Sequence, residues 1–236
     1  MVVVAALVYA VGLRVFPASR RRVASFAAGL LVVLAVTITP LGTLALTYHL
    51  WAHLVQNVAL AEWAPALCVA GLPPAMTAEL GRYRLVRVLT RPYVGLPLWL
   101  ITYGIWHIPP VYDAALRGHY LLHLEHATYF TAGVLLWWPI FHEQPWRLSA
   151  GAKSAYLFLA FVLASPLGLL LALLPSPIYD FYVEAPRIWG ISALQDQQIA
   201  GVAMAVSEAI VFFGVFAWFF VRFMAEEEAG YSQPHA

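Results

Sequence analysis

The chain has a single cysteine, Cys68, in 236 residues. An internal disulfide is therefore excluded, and so is any CxxC redox or zinc motif. Charge is scarce too: Asp, Glu, Lys and Arg make up 11% of the chain, against about a quarter in soluble domains. With a formal net charge of +1 and no Lys/Arg groove interleaved with aromatics, nothing is offered to a nucleic acid. There is no HExxH, no GxSxG and no glycine-rich phosphate loop. Hydrolytic and phosphoryl-transfer chemistry are thus unsupported, and the chain reads as a non-enzyme. Cys68 and the four methionines do not form the paired-thiolate or Met-rich pattern of a soft Cu(I) carrier.

What the chain has in abundance is apolar surface. Hydrophobic residues make up 62% of it and the mean hydropathy is +0.77, values of a multi-pass membrane protein. Runs able to cross a bilayer are read at 1–16, 23–46, 50–72, 93–108, 120–141, 155–174 and 199–221. An open sheet cannot satisfy its backbone in lipid, and a barrel needs short alternating segments in place of these long runs. The fold class expected is therefore all-α, a bundle of seven transmembrane helices forming one domain over 1–236. The first run lacks a charged start and a small-residue cleavage site, so it reads as a span rather than a removable signal. Arg14, Arg20 to Arg22, Arg82, Arg84, Arg87, Arg91, Arg147, Lys153 and Arg222 all fall in connections on one side, and only Arg117 and Arg187 on the other. The positive-inside rule then puts the amino terminus outside and the carboxyl terminus in the cytoplasm.

On that topology six of the eight histidines share the outer end: His49, His53, His107, His119, His123 and His126. Only His142 and His235 fall on the cytoplasmic side. Spacings of four and three residues align His119, His123 and His126 on one helical face, and His49 with His53 on another. One such histidine is an ordinary interfacial residue; six together point to a metal or a haem. Imidazole suits copper, iron and zinc alike, so copper is allowed but not singled out. Glu62 and Glu208 lie deep in their spans, each either a functional acid or a carboxyl bonded to a neighbouring helix. Pro40, Pro65, Pro97 and Pro166 interrupt apolar runs and are expected to kink them. Trp137, Trp138, Tyr179, Tyr182 and Trp189 read as an interfacial aromatic belt, and Cys68 as a packing or lipid-facing residue.

Three blocks carry a resemblance. They are HLVQNVALAEWAP from His53 followed by GLPP, WHIPPVYDAAL with HLEHATYFTAGVLLWWP, and YDFYVEAPRIWGISALQDQQIAGVAM from Tyr179. In order and spacing the chain resembles the polytopic bacterial cytochrome c oxidase assembly factors called CtaG, associated with caa-type oxidases. The resemblance implies a protein of the bacterial plasma membrane that helps to metallate the copper B centre of the oxidase catalytic subunit. The family's histidine pattern falls on His53, His107, His123 and His126, and its DQ pair on Asp196 and Gln197. One position departs: a second histidine of the first block is here Asn57, while His49 lies a turn to the other side of His53. Copper is expected to come from an extracytoplasmic donor and leave by ligand exchange, with Asp113, Glu125 and Asp196 orienting imidazoles from behind. A haem- or quinone-binding redox protein using the same histidines, or a scaffold without metal, stays open beside this reading.

Overall fold

The computed structural model describes residues 2–231; Met1 and His235 lie outside them. Among the described residues every regular element is helical. In chain order they are α1 (Val2–Val15), α2 (Arg20–Ile38), α3 (Pro40–Thr47), α4 (Leu50–Val58), a π-helical turn (Ala59–Trp63), α5 (Ala64–Gly71), α6 (Pro74–Leu80), α7 (Arg84–Leu89), α8 (Pro92–Trp106), α9 (Pro109–Arg117), α10 (His119–Phe141), α11 (Ala150–Leu173), α12 (Asp180–Glu184) and α13 (Ala193–Tyr231). Four helical stretches are long and apolar enough to cross a membrane: Arg20–Ile38, Leu50–Gly71, Ala150–Leu173 and Ala193–Ala229. The other expected spans are helices too, but α1 and α8 have only 14 and 15 residues, and α10 carries three histidines and Glu125.

Proline explains where the elements break. Pro40, Pro74, Pro92 and Pro109 each open a helix, the position where a missing N–H is harmless. The run expected as one span over 23–46 is accordingly cut at Thr39 into α2 and α3. Pro65 instead sits inside a long helix and cannot donate to the carbonyl four residues back. There the ladder widens into the π-turn, and Trp99 Nε1 donates to the Ala61 carbonyl at 3.3 Å. Pro97, Pro139 and Pro166 are carried within α8, α10 and α11.

The solvent pattern is inverted relative to a soluble protein. Leu7, Leu163, Leu170, Ile210 and Trp218 point outward, while His53, Gln56, Asn57, Glu62, Glu125, Gln197 and Glu208 are buried. Lipid can cover the first set; the second must be satisfied inside the bundle. The long helix running from α4 through the π-turn to α5 occupies the middle, packed by α2, α10 and α13. Close approach of α11 to α13 is set by glycine: a Cβ on Gly201 would lie 2.5 Å from both Gly168 O and Ala172 N. Most of the aromatics expected at the interface are core residues instead. Trp137, Tyr179 and Tyr182 are buried and Trp138 nearly so, leaving Trp189 exposed. Their polar tips find internal partners, as with Tyr182, whose hydroxyl donates to Ala45 O at 2.5 Å. Cys68 is buried against Phe26 and Tyr9 in a smaller cluster beside the main core.

Candidate metal centre

Three elements converge at one end of the bundle. α4 brings His53 and, one turn on, Asn57; α10 brings Glu125 and His126; the α8–α9 corner brings His107 and Tyr112. A donor atom from each of His53, Glu125 and His126 lies within 4.8 Å of the other two. His53 Nε2 and Glu125 Oε2 are 3.8 Å apart, and the His53 and His126 rings are 6.3 Å apart at 74°. His53 Nε2, Glu125 Oε2 and His126 Nε2 are all buried and make no hydrogen bond. An orphaned buried polar atom is destabilising by about 1–3 kcal/mol, and one ion between these residues would satisfy all three. Metal–ligand bonds of 2.0–2.2 Å place ligand atoms roughly 3.0–3.6 Å from each other, so the trio would close by about an ångström on an ion. Two imidazoles and a carboxylate form a donor set for a borderline ion such as zinc, iron or cupric copper.

The atoms behind these donors are held. Asn57 Nδ2 donates to Glu125 Oε1 at 2.9 Å, which leaves Oε2 turned toward His53. The Tyr112 hydroxyl lies 3.1 Å from His53 Nδ1, and Tyr112 stacks on Tyr179 at 4.1 Å. Burial, reinforced by neighbouring phenols and Glu125, pushes the Tyr112 hydroxyl well above its ordinary pKa, and burial does the same to Tyr179. His107 Nδ1 is 2.8 Å from the Tyr103 carbonyl, which only accepts, so Nδ1 carries the hydrogen. Its Nε2 is a buried lone pair with no partner. His107 stands across Tyr112 from His53, with ring distances of 6.1 Å and 5.2 Å to that tyrosine.

The remaining expected residues fall elsewhere. His123 is exposed and turned toward His119, their Nε2 atoms 3.1 Å apart. His49 is buried on its own, stacked on Trp189 at 5.0 Å with Nδ1 3.5 Å from Asp196 Oδ2. Trp189 and Gly190 make that turn with φ of 60° and 69°. Asp196 caps the start of α4, accepting from the Leu50 and Trp51 amides at 2.9 and 3.1 Å. Asp113 does the same for α12 through Asp180 and Phe181, both at 3.1 Å. Gln197 ties the α11–α12 connection down by accepting from Ile178 N and donating to Leu171 O and Ser176 O. Asp113 and Gln197 thus hold backbone, and Asp196 holds backbone while also lying beside the His49 ring. Glu208 accepts from the Tyr103 hydroxyl, while both oxygens of Glu62, in the π-turn, are buried without a partner.

Sequence reasoning passed over Tyr103, Tyr112 and Tyr129, the last 3.3 Å from His107 Nδ1. The signal was available for Tyr112 and Tyr129, which stand in the same blocks as His107 and as His123 and His126. It also cast Glu125 as a support, whereas its Oε2 lies among the converging donors. No characterised protein and no solved structure matches this chain. A sequence profile does, over residues 6–226, and it describes the cytochrome c oxidase caa3 assembly factors (Caa3_CtaG). Spanning nearly the whole chain, converging blocks included, that match establishes that the chain belongs to this family of oxidase assembly factors.

Proposed function

We propose that the protein serves oxidase assembly by holding a copper ion at His53, Glu125 and His126, with the His107 Nε2 lone pair next in reach, and releasing it to the oxidase catalytic subunit. The observation that carries this reading is the set of three unpartnered, buried donor atoms facing one another. Copper arrives from an extracytoplasmic donor and leaves by stepwise ligand exchange, with no chemical turnover. The imidazole–carboxylate set favours the cupric state. With Nε2 on the ion, His53 Nδ1 carries the hydrogen and donates to Tyr112, and Asn57 keeps Glu125 turned inward.

The same reading takes the chain as seven crossings in one domain of the bacterial plasma membrane. The amino terminus is outside, and the centre lies at the outer end, away from the arginine-rich connections. A haem is less well accommodated: it would have to enter between His53 and His126, where Tyr112 and Tyr182 already pack on the His53 ring at 5.2 and 6.4 Å.

The test is copper analysis of the purified protein and of the oxidase made beside it. Wild type is expected to retain copper, and His53→Ala with His126→Ala to lose it and to yield an oxidase poor in copper B. Equal copper in both proteins would exclude the centre. A copper-replete but unassembled oxidase in a deletion strain would favour the scaffold reading.

A further inference from the structure

The exposed pair on α10 is geometrically a chelate that the centre does not use. His119 and His123 are four residues apart on one helical face, the spacing by which two imidazoles of a helix grip one ion. Their Nε2 atoms are 3.1 Å apart with the rings at 75°, both on the exposed side of the helix. Tetrahedral coordination at 2.0–2.1 Å sets two nitrogens roughly 3.3 Å apart, so an ion fits between them with almost no movement. In its absence the same gap holds a single hydrogen.

Exposure falls in order from this pair to the buried trio. His119 and His123 are exposed, His126 is half-buried, and Glu125 and His53 are buried. The steps from His119 to His123 and from His123 to His126 rise about 6 and 4.5 Å along the axis, each near one helical turn. Local charge favours a cation. Arg117, two residues before His119, is ion-paired to Glu184 at 2.7 Å, and Asp113 and Asp180 also act on it. Three carboxylates against one guanidinium leave this corner net negative.

We propose that His119 and His123 form a second, solvent-facing metal site that captures the incoming ion and hands it through His126 to the buried centre. This rests on the metal-holding role proposed above and adds to it a way in. His126 is the shared rung: one of its ring nitrogens already belongs to the trio, and it follows His123 by three residues, about one helical turn.

The experiment measures Cu(II) bound at equilibrium, and the rate of loading, by the full-length protein in detergent. Wild type is expected to bind two ions. The His119→Ala/His123→Ala variant, altered only at exposed positions, is expected to bind one at unchanged affinity while loading about tenfold more slowly, because the local concentration supplied by capture is lost. His53→Ala/His126→Ala is expected to keep one ion that a chelator strips at once. If the His119/His123 variant binds and loads as wild type does, the capture site is wrong and the buried centre stands. If wild type binds one ion and loses it only in the His119/His123 variant, the buried centre is wrong instead. Wild type taking up no ion would overturn both.

Discussion

Asn57 is the residue on which the site turns. Its amide holds Glu125 through a buried 2.9 Å bond. It thereby keeps a carboxylate among the converging donors. Asn57→Ala removes the amide that donates to Glu125 Oε1 and is expected to weaken metal binding about 10- to 100-fold. A competition titration against a chelator reads this directly. Asn57→His offers a third imidazole and is expected to bind copper more tightly than wild type. Weaker binding in that variant would show that the Glu125 contact matters more than the added ligand.

His142 illustrates the opposite case, a histidine with every polar atom satisfied. Its Nε2 donates to Val69 O at 2.7 Å and its Nδ1 lies 3.3 Å from Thr77 Oγ1. Burial holds its pKa down to about 4 from 6.5, with Arg22 and Lys153 adding to the effect and the Val69 bond opposing it. The unfolded chain therefore takes up the proton first as pH falls. Stability is expected to be full above 6.5, to drop by at most about 3 kcal/mol on the way to pH 4, and to level off below. Thermal melts of His142→Gln, which keeps a donor and an acceptor, are expected to show a shallower slope across that window.

Among the elements, the π-turn decides how α10 meets the central helix. Gly133 is the contact: a Cβ there would fall 2.2 Å from Ala61 O and 2.6 Å from Pro65 Cγ, so α10 can come this close only without a side chain. Gly133→Ala is expected to destabilise the protein by about 1–3 kcal/mol, seen as a lower melting temperature in detergent. It should weaken copper binding as well, because Glu125 and His126 ride on the same helix. A melting temperature equal to that of wild type would mean the helices have slack that the packing does not suggest. Asp196 acts at a helix end in the same structural way. Asp196→Ala frees the Leu50 and Trp51 amides of α4 and is expected to cost about 1–2 kcal/mol, with His53 less firmly placed.

At the scale of the whole molecule, the helical class and most helix positions were legible in the chain. Apolar runs and proline positions act locally, so a sequence displays them. Which histidines meet depended on helix rotation, a tertiary quantity. His123 and His126 differ by three residues, yet one faces out beside His119 and the other faces in toward His53. Asp113 and Asp196 looked like partners for imidazoles; Asp196 does lie 3.5 Å from His49 Nδ1, but both also cap backbone amides of helices distant in the chain, a pairing no spacing rule contains. The orientation has a direct check, since Cys68 is the sole cysteine and is buried. In a Cys68→Ala background, Tyr120→Cys is expected to react with an impermeant maleimide on intact cells, and Arg84→Cys only after permeabilisation. The reverse result would invert the topology.

The bond between Glu208 and the Tyr103 hydroxyl joins residues 105 positions apart in the chain. A carboxyl carried alone into hydrocarbon is resisted during insertion by roughly 2.5–3.5 kcal/mol. Because α8 is synthesised before α13, its phenol is already waiting when that acid enters the bilayer. The last long helix is therefore expected to settle more readily onto a bundle in which α8 already has its place.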